Sequence, residues 1–305
     1  MSRKFQFLLR SVFSLAFIVL VFGSYVVVAQ TTLTGDWKAE AKPEKNPEKI
    51  YLSFSRKTEK GGINQHGTNF DYADLQGLSR EQALGNGAVK FSLVREAGTI
   101  ECEGVFQNGK GSGTFRFSGN QNFVSAMKSR GFDFETGEAG KKRDVEDRLF
   151  AAATLNVTTA FADDLLSANF GKLTVDDLFK AVIFKITPQF MSEMKASGFP
   201  NLGMEELVKA RIFKIDAGFV REVTQMGFDK EPFESLVKMR IFKVTPEFIT
   251  EVKNEGLSNL DIEDLVKMRI FKIDGAFIRQ AKADGVPLEV EKLVQKRIGV
   301  YGRDE

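Results

Sequence analysis

Ile212-Phe213-Lys214-Ile215 decides the fold, because the same words return at a fixed interval on either side of it. Val157, Ile186, Ile215, Val244 and Ile273 stand 29 residues apart, and each opens a unit reading Val/Ile, Thr/Asp, two variable residues and Phe. Every unit then passes through a capping residue followed by a hydrophobic one, reaches a Leu-Val or Leu-Phe pair, and in the first four closes on Ile-Phe-Lys. Five units at one period are the signature of a repeat array, in which a module buries its apolar face only against its neighbours.

Within a unit the pattern is that of two short helices. Thr187-Pro188 is a helix start, since threonine caps orphan backbone donors and proline at the first helical position loses no hydrogen bond. Asp216 and Asp274 stand at the same capping position. Phe190, Met191 and Met194 follow at helical spacing. Gly198, Gly227, Gly256 and Gly285 end the first helix, with Asn169 in the first unit, because a left-handed cap suits glycine and is tolerated by asparagine. The second helix runs from about Met204 to Phe213. Its apolar positions are Leu207, Val208 and Ile212, and their equivalents include Ile241 and Ile270. Thr174 to Asp177 and Asp261 to Asp264 read as capping boxes. Helices this short need neighbours to be stable. Stacking is expected to bury two phenylalanine ladders, Phe161-Phe190-Phe219-Phe248-Phe277 and Phe184-Phe213-Phe242-Phe271. The expected architecture is an α-solenoid-like array.

The array is expected to begin earlier. Phe123, Met127, Gly131 and Phe132 repeat the spacing of Phe190, Met194, Gly198 and Phe199, which places a degenerate unit at 119–156 with an insertion around Gly137 to Arg143. Before it the period changes. Ile50–Arg56, Val89–Val94, Thr99–Phe106 and Gly113–Phe117 alternate apolar and polar residues, as half-buried strands do. Gly61-Gly62, Gly98, Asn108-Gly109 and Gly111 mark turns, and Asn108-Gly109 is a hairpin signal. Leu78–Leu84 is a loop or short helix. The fold class is α+β in two parts: an antiparallel β meander at 30–118, as a small sandwich or half-barrel around Trp37, then the helical repeats at 119–305.

Residues 1–29 read as an export signal: Arg3, Lys4 and Arg10 precede an apolar run, and Val27-Val28-Ala29 places a cleavage between Ala29 and Gln30. An uncleaved single-pass anchor is the competing reading. Both readings place the body of the protein outside the cytoplasm, periplasmic or secreted. Without the three basic residues of that segment the chain holds 40 basic against 41 acidic residues, a balance that gives no ground for nucleic-acid binding.

Little in the sequence assembles into chemistry. His66 is the one histidine and Cys102 the one cysteine, so zinc spacings, a Cys-His pair and an internal disulfide have no residues to use. His66 reads as a solvated loop imidazole. Cys102 lies in an alternating strand, as a buried thiol does. Acidic doublets such as Asp163-Asp164, Asp176-Asp177 and Glu205-Glu206 recur once per module at helix starts, where the dipole favours them. No catalytic residue, metal ligand or cofactor is assigned.

The repeated charges carry more. Asp176–Lys180, Glu205–Lys209, Glu234–Lys238 and Glu263–Lys267 have the favourable i,i+4 order. Arg211, Arg240, Arg269 and Arg297 form one column, Lys185, Lys214, Lys243 and Lys272 a second, and Asp164, Glu193, Glu222 and Glu251 an acidic one on the other helix. The arginines and these acids are expected to meet as an inter-module ion-pair ladder. The alternative is a basic ridge, Lys209, Arg211, Lys238, Arg240, Lys267 and Arg269, that grips an acidic partner.

Val244-Thr-Pro-Glu-Phe-Ile249, the Gly-hydrophobic pairs and Leu265-Val-Lys-Met-Arg-Ile270 resemble the helical repeats of certain bacterial exported proteins. They also resemble the C-terminal extracytoplasmic region of membrane metallopeptidases related to the beta-lactam-sensing antirepressor receptors. Gly113-Thr-Phe-Arg-Phe117 leading to Phe123 and Gly131-Phe132 is similar to the part preceding those repeats. The chain lacks the multi-span peptidase portion and any His-Glu-x-x-His, so the resemblance implies no protease activity. A repeat array with no assembled site motivates the leading expectation, a non-catalytic extracytoplasmic module that binds another protein, as a partner or sensor component of envelope signalling. A small-ligand carrier using the β-domain and an unrecognised hydrolase around His66 are the other classes kept open.

Overall fold

The computed structural model describes residues 32–57, 62–136 and 144–302. The N-terminal segment with its cleavage site at Ala29 and Gln30, Gly61, and the insertion at 137–143 lie outside the described residues. Thr32–Glu305 form one compact unit.

The first part is a curled seven-stranded antiparallel half-barrel. Its strands are β1 (Thr32–Ala41), β2 (Lys49–Lys57), β3 (Ile63–Asp71), β4 (Leu75–Gln76), β5 (Asn86–Arg95), β6 (Gly98–Gln107) and β7 (Lys110–Gly119). The order across the sheet is β3-β2-β1-β7-β6-β5-β4, so two meanders join where the first strand pairs with the last. Asn108-Gly109 turns β6 into β7 with both residues at positive φ (50° and 81°). Gly111 lies within β7 rather than in a turn, and the reason is steric. A Cβ there would sit 2.6 Å from the Phe106 ring and 2.8 Å from Trp37. The helix α1 (Arg80–Leu84) starts on a complete capping box between Ser79 and Gln82.

His66 lies in β3 opposite Phe54, not in a loop. That edge strand is nearly all polar, so its alternation is invisible in the sequence.

The helices follow in pairs. The degenerate pair is α2 (Gln121–Ser129) and α3 (Val145–Leu155). The first helices of the five modules are α4 (Thr159–Ser167), α6 (Pro188–Ala196), α8 (Ala217–Gln225), α10 (Pro246–Asn254) and α12 (Gly275–Ala283). The second helices are α5 (Val175–Ile183), α7 (Met204–Ile212), α9 (Phe233–Phe242), α11 (Ile262–Ile270) and α13 (Val290–Ile298). Thr158, Thr187, Asp216, Thr245 and Asp274 each accept the backbone N–H of the ladder phenylalanine three residues on. Gly198, Gly227, Gly256 and Gly285 take the left-handed conformation, and Asn169 does so in the first module. Both capping boxes, Thr174–Asp177 and Asp261–Asp264, are present.

Two expectations about burial need correcting. Phe190, Phe219 and Phe248 are buried, whereas Phe161 and Phe277 at the ends of that ladder and all of Phe184, Phe213, Phe242 and Phe271 are only half-buried and pack on the core's flank. The residue that follows each in-line lysine, Ile186, Ile215, Val244 or Ile273, goes fully inside instead. The Ile212 column points into water. Ile183, Ile212, Ile241, Ile270 and Ile298 are each exposed, at 49–55%. The apolar stripe of the second helix is therefore narrower than its composition implies, carried by residues such as Leu207 and Val208.

The β part and the helices share one core. Phe150 of α3 stacks on Phe115 with centroids 5.2 Å apart and meets Phe54 and Phe117 edge-on. The expected boundary at 118/119 falls one residue inside β7, and the change from strand to helix that follows it does not divide the hydrophobic interior. The buried Arg148 continues the seam. It donates to the carbonyl oxygens of Asp133, Phe134 and Thr136 and reaches Asp176 Oδ1 of the first module at 2.9 Å.

Candidate interaction ridge

The six ridge residues lie on the second helices, near their C-terminal ends. What they touch depends on how one module meets the next. Lys209 donates to Glu234 at 2.6 Å, Lys238 to Glu263 at 2.5 Å, and Lys267 pairs with Glu291. Lys180 pairs in the same way with Glu205. Lys209, Lys238 and Lys267 thus reach forward one module and not back to the carboxylate four residues before them on their own helices, whereas Lys180 also meets Asp177 of its own helix at 3.8 Å. Stacking brings a neighbouring glutamate nearer in space than the helix brings its own. The hydrogen bond it donates to Glu234 raises the Lys209 ammonium above the ordinary lysine range, and the one donated to Glu291 does so for Lys267. These pairs are solvated, and exposed pairs of this kind contribute about 0–1 kcal/mol each.

The arginines make a different joint from the one expected. Arg211 lies 3.7 Å over the ring of Phe190 and donates to the carbonyl oxygen of Lys185, the last residue of the preceding module. Arg240 repeats this over Phe219 and on Lys214. Arg269 and Arg297 sit 4.8 and 4.7 Å over Phe248 and Phe277 and donate to the carbonyl oxygens of Phe242 and Phe271. Helix C-termini leave carbonyls without intrahelical donors, and a guanidinium satisfies them while its flat face covers an aromatic ring. The expected Arg–Glu ladder does not form. Glu251 instead accepts the backbone N–H of Gly275 at 2.9 Å, and Glu193 pairs with Gln189. All six ridge side chains are consequently engaged between or within modules.

The second-helix termini hold a feature that the sequence did not disclose. Lys185, Lys214, Lys243 and Lys272 adopt left-handed backbone, with φ between 53° and 55°. The N–H of the next residue then bonds back five residues, as from Ile215 to the carbonyl oxygen of Ala210 at 2.8 Å. This is a Schellman closure with lysine where glycine or asparagine is usual. The backbone carbonyls of Lys185 and Lys214 accept from the arginine joints, but the four lysine side chains are exposed and, among the described residues, have no carboxylate partner.

The remaining candidates fall into structural roles. Asp177 and Glu206 close caps, Asp163 holds Arg130 through two bonds of 2.7 and 2.9 Å, and Asp176 receives Arg148. Among the described residues no group of three or more His, Cys, Asp or Glu is placed to hold a metal. Cys102 is buried in β6, and burial pushes its thiol up to about 12. Trp37 is 1% exposed, packs against Phe91 and Phe106 and donates to the Glu103 carbonyl oxygen at 3.1 Å. The half-barrel interior near it is filled by side chains, so the carrier reading loses the space it required there. Two depressions lie on the sheet, one of about 520 Å³ lined mainly by polar side chains such as Asp36, Lys90 and Glu101, the other of about 650 Å³ lined by Lys38, Glu40 and Lys110 together with Ala39, Tyr51 and Val105. Among the described residues no helix is long and apolar enough to cross a membrane.

Comparison of the chain with protein-family models, with curated proteins and with solved structures returned no match.

Proposed function

We propose that this chain is a non-catalytic extracytoplasmic module that binds another protein, as a partner or sensor component of an envelope signalling system. The observation that carries the reading is the array itself. Five modules present the same side chains at the same place, and such periodic surfaces are suited to gripping extended macromolecular partners. The resemblance of the repeats to extracytoplasmic regions and the basic-then-apolar start at Arg3 to Ala29 support the location. Asp177 and Glu206 close caps, and Glu205, Glu234, Glu263 and Glu291 pair with lysines of the preceding module, which is a scaffold's use of carboxylates.

The test is cross-linking in intact cells followed by purification of the full chain. A specific envelope protein recovered reproducibly supports the reading. Loss of a measurable hydrolytic activity in His66→Ala would replace it with the enzymatic one.

A further inference from the structure

Ile183, Ile212, Ile241, Ile270 and Ile298 occupy one position in five successive modules and stay about half in water. A lone exposed isoleucine is ordinary, but five at the same place in successive modules make a row of exposed apolar side chains of the sort that marks a binding surface. Two residues beyond the first four stand Lys185, Lys214, Lys243 and Lys272, whose ammonium groups are unpaired among the described residues. Their left-handed backbone favours glycine or asparagine, and Asn156 and Gly299 fill the corresponding caps at the two ends of the array. Lysine is thus kept at four inner positions where the backbone alone would choose otherwise. On the other side of the stripe the charges are already neutralised, by the Lys209–Glu234 type of ladder.

We propose that the isoleucine stripe and the free lysine row seat an amphipathic helix of a partner protein, its apolar face edged with aspartate or glutamate. This rests on the protein-binding reading above and specifies the surface and the partner's chemistry. Charge complementarity to the lysines requires acids along one edge. The spacing selects a helix. Packed helices lie about 8–10 Å apart, and seven residues of a helix advance about 10.5 Å, so one acid per heptad meets one lysine per module. Same-face residues of a strand recur about every 6.8 Å and fall out of step.

The experiment titrates the full chain against a fluorescent helical peptide of four heptads, with leucine on one face and glutamate along one edge of that face. A control peptide carries lysine for every glutamate. Binding of the acidic peptide, weakened about tenfold or more both by Ile212→Ser/Ile241→Ser/Ile270→Ser and by Lys214→Glu/Lys243→Glu, is the expected result. The lysine peptide should gain affinity for the Lys→Glu variant. Both variants alter exposed side chains, and circular dichroism checks that each remains folded. Equal binding of the two peptides, or affinities unmoved by either variant, overturns the proposal. So does Ile-dependent binding to phosphatidylcholine–phosphatidylglycerol vesicles without peptide binding, or self-association that the isoleucine variant abolishes. An envelope partner captured equally by wild type and isoleucine variant would leave the protein-binding reading standing and remove this surface from it.

Discussion

Arg240 and Lys238 sit two residues apart on α9 and hold the array together by different physics. Arg240 covers an aromatic ring at 3.7 Å and satisfies a helix-end carbonyl, whereas Lys238 makes a solvated ion pair. Arg240→Ala should cost about 1–2 kcal/mol, since the cation–π contact and the charged hydrogen bond go together. Lys238→Ala should cost less than about 1 kcal/mol. Urea unfolding of the two variants checks the order. Equal losses would mean that the ring contact contributes nothing. A second residue makes a pH prediction. Cys102 is neutral in the folded protein until about 12, against 9.0 for a thiol with ordinary solvation. Above pH 9.0 the unfolded chain releases that proton while the folded chain keeps it, so stability falls as pH rises toward 12. Lys209 and Lys267 act in the same direction. Their raised folded values give a contribution present below the ordinary lysine range and lost as pH climbs through the raised one. Cys102→Ala should flatten the thiol's share of the alkaline slope, as denaturant midpoints measured from neutral to alkaline pH would record. An unchanged slope would place the whole effect on the lysines and other groups.

At the scale of the element, caps were legible and exposure was not. Thr187, Asp216 and Gly198 announce helix ends because their chemistry is local, and each performs the role its residue type suggests. The polar edge strand β3 gave no alternation to read, since a strand with only one neighbour and little burial places few demands on its side chains. The Ile-Phe-Lys closure misled for a related reason. Isoleucine at helical spacing reads as core, and lysine does not advertise a left-handed cap, so the outward turn of Ile212 and the closure at Lys214 emerge only from the backbone. The ridge residues were correctly placed on one layer of helices, but their partners lie a module away, beyond the reach of helical spacing. The closure supports a prediction of its own. Lys243→Gly relieves the positive φ at the end of α9, so stability should stay level or rise by up to about 1 kcal/mol. A thermal unfolding midpoint that drops instead would show the lysine side chain to be holding the module.

For the whole molecule the question is whether sheet and repeats unfold together. Repeat arrays behave as chains of nearest-neighbour couplings, so damage in one module weakens its neighbours first. Here the sheet end is not a separate domain, because Phe150 is packed among Phe54, Phe115 and Phe117 while Arg148 ties α3 to the first module. Trp37, the only tryptophan, is buried in the sheet and reports on that end alone, whereas far-ultraviolet circular dichroism is dominated by the helices. Two truncations with similar intrinsic costs, about 3–5 kcal/mol each, should therefore look different. Phe150→Ala removes the ring that joins both parts and should lower the tryptophan transition together with the early part of the helical one. Phe248→Ala lies three modules beyond the first and should shift the helical transition while leaving the Trp37 midpoint near that of wild type. If both probes move equally in both variants, the array is one cooperative block and the coupling between modules exceeds the stability of any one of them. If Phe150→Ala moves tryptophan alone, the seam through Arg148 and Asp176 transmits nothing, and the sheet and the array fold as independent parts.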